Sequence, residues 1–201
     1  MLYNIITKIN WVDIFVVIVL LRVSYVSVNT GLPAEIFKLL GTISAIYLSL
    51  HYYASLQDFV VNLAGFKSIP LGLYTLVTVA ILSFSGYAVF SVLRNFFLRL
   101  LNFENVSALF KLLGLGIGAL RGILLSSLLI FMMVISGYDY FKTSVKDSYS
   151  GKFIFKIAPA TYTFLWNGVS SRFMTGEKYN KNIPEIRKDL YAPTPSIPEK
   201  K

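Results

Sequence analysis

Residues 112–135 read LLGLGIGALRGILLSSLLIFMMVI. This apolar run is long enough to cross a bilayer, for which a helix needs about 20 residues. Gly114, Gly118 and Gly122 fall four apart, so at about 100° per residue they line one stripe of that helix, and Ser126 extends it. Small residues along one edge let a second helix come close. Arg121 stands beside the stripe. A span that gives up side-chain volume along one edge and accepts a charge there is shaped to touch protein rather than lipid alone. The spacing does not itself decide between contact within the chain and contact between chains, and contact within the chain is the leading expectation.

The whole chain agrees with that solvent. Of 201 residues, 55% are hydrophobic and 14% charged, and the mean hydropathy is +0.63, whereas soluble domains carry about 25% charged residues. Cysteine is absent, which removes disulfides, thiolate metal sites and cysteine nucleophiles. The net charge of +9 is spread over loops and a tail that flank apolar spans. Anionic lipid head groups are the partner this pattern fits, and nucleic acid is not expected. At the N-terminus, Lys8 before an apolar stretch resembles a secretory signal, but Asp13 and Arg22 interrupt it and no small-residue cleavage pattern follows. A retained helix is expected.

Four spans are expected, at about 12–28, 36–50, 70–93 and 112–135. The first ends at Asn29, Thr30, Gly31, Leu32 and Pro33, a cluster that predicts a tight hairpin with Pro33 in the first turn of the next helix. Glu35 then lies near that helix's positive end. The second span closes on His51, Tyr52 and Tyr53, rings suited to a membrane interface. Residues 54–69 predict a polar interruption along the surface. In the third span Ser83, Ser85, Gly86 and Ser91 offer close-approach positions, and a basic loop with Arg94, Arg99 and Lys111 follows. The fold class is an all-α membrane protein: a four-helix bundle over 1–137, a C-terminal interfacial segment over 138–174 and a disordered polar tail over 175–201. In the interfacial segment Phe153, Phe155, Phe164 and Trp166 are expected to dip into the bilayer while Lys152, Lys156 and Arg172 face head groups.

Catalytic chemistry finds little material here. Gly114, Gly116 and Ala119 satisfy a nominal dinucleotide fingerprint, but no strand precedes them and no acidic residue follows at the required distance. No cofactor is expected. His51 is the only histidine, so interface packing is the expectation and metal ligation is not. No G-x-S-x-G elbow and no pair of deep aspartates occurs, which leaves no catalytic residue to name.

The intramembrane polar residues are Arg22 and Arg121. An arginine at a span centre costs about 2.5–3.5 kcal/mol on insertion scales, so each needs a carboxylate, a carbonyl, water or a route to the interface. For Arg121, snorkelling and a buried partner both stand. Arg22 lies deeper, and Asp13, Glu35 and Asp58 are the candidate counter-charges. Asp13 and Arg22 are nine positions apart, on opposite sides of the helix, so any partner of Arg22 comes from elsewhere. Asp13 itself fits a helix N-terminus, with Trp11 as interface anchor.

These residues carry a resemblance. Trp11-Val12-Asp13 opening the first span, Gly31 and Glu35 in the hairpin, Gly41 in the second span, and the run from Gly114 ending in GALRG at Gly122 are similar to the colicin V production protein (CvpA) family of bacterial inner-membrane proteins. The resemblance covers about residues 10–137. The family pattern places an arginine before the hairpin glycine and often another before the glutamate, where this chain has Thr30 and Ala34; it tends to place Asp-Arg where this chain has Phe110 and Lys111.

The resemblance implies a multi-pass protein of the inner membrane, required for production or export of a peptide toxin and for envelope maintenance, with no established biochemical activity; a non-enzymatic role is the expectation from the lack of catalytic residues. The expected partners are the bilayer, further copies of the chain or other membrane proteins, met along the glycine stripe. Two alternatives remain. One is a small oligomeric channel with a polar path lined by Arg22 and Arg121; the other is an accessory subunit of a secretion or lipid-handling machine. Arg94, Arg99 and Lys111 argue for a cytoplasmic third connection and Lys142, Lys146, Lys152 and Lys156 for a cytoplasmic tail on the opposite side; the resemblance, to a family that tends to be basic at that connection, favours the former.

Overall fold

A computed structural model describes residues 10–64, 70–100, 108–174 and 176–191, which are helical with short connections. Helices α1 (Trp11–Ala64), α2 (Leu71–Leu100) and α3 (Ala108–Ile135) are each long and apolar enough to cross a membrane. They are followed by α4 (Asp139–Asp147), α5 (Tyr149–Phe153), α6 (Ile157–Leu165), a π-helical turn (Trp166–Ser170), α7 (Ser171–Phe173) and α8 (Asn182–Tyr191).

Helix α1 is broken at Gly31, whose φ of 74° and ψ of 167° lie outside helical space. Only glycine takes such a φ without steric cost, so the break sits where the sequence allows it. Pro33 falls two residues later, in the first turn of the second arm, where its missing N–H has no helical partner to lose. The arms, 11–30 and 32–64, fold back toward one another. Val12 and Leu50, which an unbroken helix would hold about 57 Å apart at 1.5 Å per residue, belong to one core.

Helix α3 is the axis of that core. In its most apolar window 56% of residues are buried, against 17% for α2. Leu128, Ile130, Phe131 and Val134 of α3 meet Val12 and Val16 of the first arm and Ile46 and Leu50 of the second. Helix α2 packs on the second arm, where Gly86 approaches so closely that a Cβ would stand 2.9 Å from the Ala45 backbone. Gly41 answers one face further along, against Tyr87 and Phe90. At the far end of α3, Gly137 with φ 76° ends the helix in a left-handed conformation.

The second arm continues as helix through residue 64, so residues 54–64 are not the polar interruption expected of them; 65–69 lie outside the described residues. Similarly, Arg94 and Arg99 belong to the last turns of α2 rather than to a loop. The C-terminal part differs most from expectation. Residues 182–191 of the expected disordered tail form α8, which buries Ile183 and Leu190 against the bundle; 192–201 lie outside the described residues. Phe155 and Trp166 are inside the protein, at 0% and 9% exposure, while Phe153 and Phe164 are exposed. Phe155 stacks on Phe131, and the backbone around it is held by Ser127, which donates to the Phe155 carbonyl (3.3 Å) and accepts from the Ala158 N–H (2.7 Å).

Asp13 joins the two parts. It closes a capping box with Asn10, accepting from the Asn10 N–H at 3.2 Å, and reaches across to the Ser150 N–H at 2.7 Å in the first turn of α5. A second tie starts at Asn180, whose backbone N–H donates to the Tyr162 hydroxyl (3.0 Å) and whose side chain donates to the Leu50 carbonyl (2.8 Å). That leaves the Tyr162 proton for His51 Nδ1 at 2.9 Å and the other ring nitrogen to donate to Glu177, 3.4 Å away.

Burial pushes the Tyr162 hydroxyl up to about 12 from its ordinary 10.0, with the Asn180 N–H countering part of the rise. A folded state that holds this proton more tightly keeps its full stability below pH about 10 and loses it as pH climbs toward about 12. Thermal unfolding measured across that window should show this alkaline decline, and Tyr162→Phe should flatten it while lowering stability at neutral pH.

Candidate functional site

The charged residues of the long helices converge where α3 crosses the break in α1. Glu35, in the opening turns of the second arm, has no exposed surface. Its Oε1 accepts from Lys38 Nζ at 2.6 Å and from Thr30 Oγ1 at 2.5 Å, and its Oε2 faces Arg121 Nη2 at 3.2 Å. Lys38 also donates to Thr30 Oγ1 at 3.1 Å. Arg121 and Lys38 are themselves only 8% and 7% exposed.

Local rules place each of these groups. Glu35 and Lys38 are three apart and share a helix face, and Thr30 ends the first arm just before the turn that brings it over that face. Arg121 comes from α3, one residue before Gly122 on the edge that meets both arms. The cluster holds two cations and one carboxylate, so Glu35 is the group on which both positive charges depend. Glu35 Oε2, Arg121 Nε and Ser126 Oγ are buried without a hydrogen-bond partner among the described residues, so the Glu35–Arg121 contact is an ion pair without hydrogen-bond geometry.

The glycine stripe makes room for this cluster. A Cβ on Gly118 would overlap the Ser27 side chain and stand 3.5 Å from Glu35 Oε2. A Cβ on Gly114 would stand 3.1–3.2 Å from the Gly31 and Leu32 backbone, and one on Gly122 would meet only side-chain atoms of Leu20 and Val23 at 3.1–3.5 Å. Gly116, part of the nominal nucleotide fingerprint, has open space around it. The structure therefore uses the stripe to seat the first arm of the same chain.

Arg22 is elsewhere. It lies on the exposed face of the first arm with Ile14, Ile18, Leu21 and Tyr25, and no hydrogen bond or ion pair joins it to another described residue. Arg22 is thus exposed on the outer face of the first arm while Arg121 is buried between the helices. Lys38, Thr30 and Ser27 are not among the site residues expected from sequence, although the Glu35/Lys38 spacing is a readable signal for the first of them.

A family model described as colicin V production protein matches residues 12–159. The chain belongs to this family. The colicin V production domain thus takes in all three long helices, the Gly31 break and the charge cluster, and ends at Pro159, before α8 begins. No curated protein and no solved structure matches the chain significantly.

The cluster makes an asymmetric prediction. Glu35→Gln leaves two buried cations facing each other and should cost about 3–5 kcal/mol in thermal or denaturant unfolding. Arg121→Met leaves Glu35 with Lys38 and Thr30 and should cost clearly less. Along the stripe, Gly118→Ala should destabilise by about 1–3 kcal/mol through overpacking against Ser27. Gly116→Ala, with nothing to displace, should stabilise by about 0.5–1 kcal/mol. Equal effects at the two glycines would show that the stripe does not seat the first arm.

Proposed function

We propose that this chain is a non-enzymatic, multi-pass protein of the bacterial inner membrane that serves production or export of a peptide toxin and envelope maintenance through contacts with other membrane proteins. The toxin-related part of this reading is supported by membership of the colicin V production family over residues 12–159, and the non-enzymatic part by the use of Glu35, Lys38 and Arg121 on one another inside the chain. Charges engaged in holding helices together are not free to line an ion path or to do acid–base work. The channel alternative needs Arg22 and Arg121 in one opening, and their placement on separate faces weighs against it.

The reading includes four crossings. The arm 11–30 is 20 residues long, about 30 Å at 1.5 Å per residue, which matches the hydrocarbon thickness. The second arm exceeds that length, and the break at Gly31 turns the chain back toward the side from which it entered. Partner contact then falls to the first arm's outer face. There Arg22 sits about nine residues from the break, close to mid-span, where exposure to lipid costs about 2.5–3.5 kcal/mol. A neighbouring helix that supplies a carboxylate or carbonyl removes that cost.

Because the chain has no native cysteine, single cysteines can be labelled without background. Asn29→Cys and Arg99→Cys should react with an impermeant maleimide from one side of the membrane and Ser55→Cys from the other; an Asn29→Cys that reacts from neither side would remove the crossing at Gly31. For function, deleting the gene in a toxin-producing host should lower toxin in the medium, and the wild-type chain should restore it. Arg22→Leu should insert and fold normally yet restore little. Full restoration by Arg22→Leu would remove its face as the contact.

A further inference from the structure

At the C-terminal edge of the colicin V production domain, α8 and α6 flank a groove that the toxin-related reading does not use. One part, about 610 Å³, is lined by apolar surface from Pro159, Ala160, Phe164 and Ile183, with Gly168 in its wall and Arg187 at its edge. The adjoining part, about 510 Å³, shares Pro184 and Arg187 and adds Lys156, Lys188 and Tyr191. Each volume lies within the range of about 300–1,000 Å³ typical of small-molecule sites.

The charges around this groove are sorted. Pro184, Arg187, Lys188 and Tyr191 follow i, i+3, i+4, i+7 spacing and form one stripe of α8, the stripe that lines the groove. The acidic residues of the helix are turned away: Asp189 pairs with Lys142 at 3.2 Å, and Glu185 lies on the flank nearer Tyr53. From the opposite wall Lys156 Nζ comes to 5.6 Å from the centre of the Tyr191 ring. No carboxylate among the described residues pairs with Lys156, Arg187 or Lys188. Three cations without a carboxylate partner among the described residues thus stand at one end of the trough, and the exposed ring of Phe164 lines its other part.

We propose that this groove binds an anionic phospholipid, its acyl chain along the exposed Ala160 and Phe164 and its phosphate among Lys156, Arg187 and Lys188. Charge complementarity selects the occupant: an apolar ligand alone leaves the cations unanswered, and a free anion leaves the trough empty. The site needs only that the chain resides in a membrane, so its failure and that of the toxin-related role are separable.

The full chain, purified in a nonionic detergent, is titrated with phosphatidylglycerol, phosphatidylcholine, glycerol phosphate and inorganic phosphate, and bound species are counted by native mass spectrometry. Phosphatidylglycerol should be retained about tenfold or more over phosphatidylcholine, and Arg187→Gln/Lys188→Gln should abolish that preference. Gly168→Phe, at a position where a Cβ meets nothing within 4 Å, should plug the trough and lower lipid retention without lowering the unfolding temperature. Equal retention of the two lipids, or retention unchanged by both variants, overturns the site. Glycerol phosphate or inorganic phosphate binding as tightly as the lipid makes it an anion site and overturns the proposal as well. A dimer that the cationic double variant dissolves would put a second copy in the groove and would likewise overturn the lipid site.

Discussion

Everything in the bundle leans on one carboxylate. Glu35 has no exposed surface, and both arms of α1 and the central helix α3 reach it, through Thr30, Lys38 and Arg121. Desolvating a carboxylate is expensive, and only its partners make burial tolerable. The dependence runs the other way too, because Glu35 is the carboxylate that both Lys38 and Arg121 pair with in this cluster of three charges. Such a cluster adds little net stability compared with a well-packed apolar core. Its effect is to penalise every arrangement of the helices that separates its members, and in a bilayer, where apolar packing hardly distinguishes helix from lipid, that penalty selects one register.

The backbone is cut to fit that requirement. Gly31 turns the chain so that residues 27 and 35 can face the same point on α3, and Gly118 is the point they face. A side chain at 118 would occupy the Ser27 position and push the first arm away from the carboxylate. The glycines and the charges are therefore one device. Close approach of the helices is what brings Arg121, a residue from a distant part of the chain, within 3.2 Å of Glu35. The stripe is graded in turn: Gly114 and Gly118 leave no room for a Cβ beside the first arm and the break, Gly122 meets only side-chain atoms, and Gly116, on another face of the helix, has open space.

Much of this is legible in the amino-acid order. The long apolar runs predict the helices, and the Gly31/Pro33 pair predicts the break, because hydropathy and backbone freedom are local properties. The four-residue spacing of Gly114, Gly118 and Gly122 announces a contact face. What it faces is not legible, since the Glu35–Arg121 pairing spans 86 positions and depends on how three segments cross. The C-terminal part departs from expectation for a different reason. Residues 182–191 are mostly polar and contain Pro184, yet Ile183 and Leu190 suffice to dock them on a core already built by others. Composition reports whether a segment can bury a core of its own and is silent on whether it can complete a neighbour's. Phe155 and Trp166 depart similarly: an aromatic that suits a membrane interface suits a protein interior equally well.

One departure from the family pattern, Thr30, falls inside the charge cluster, which gives it a physical reading. Where the family places an arginine before the hairpin glycine, this chain has Thr30, and Thr30 donates to Glu35 and accepts from Lys38. A hydroxyl relays between the two charges at the place where a second cation would crowd them. The other family arginine position, before the glutamate, is Ala34, and it is buried. The positive charge that answers Glu35 within the hairpin comes instead from Lys38, one turn further along the second arm.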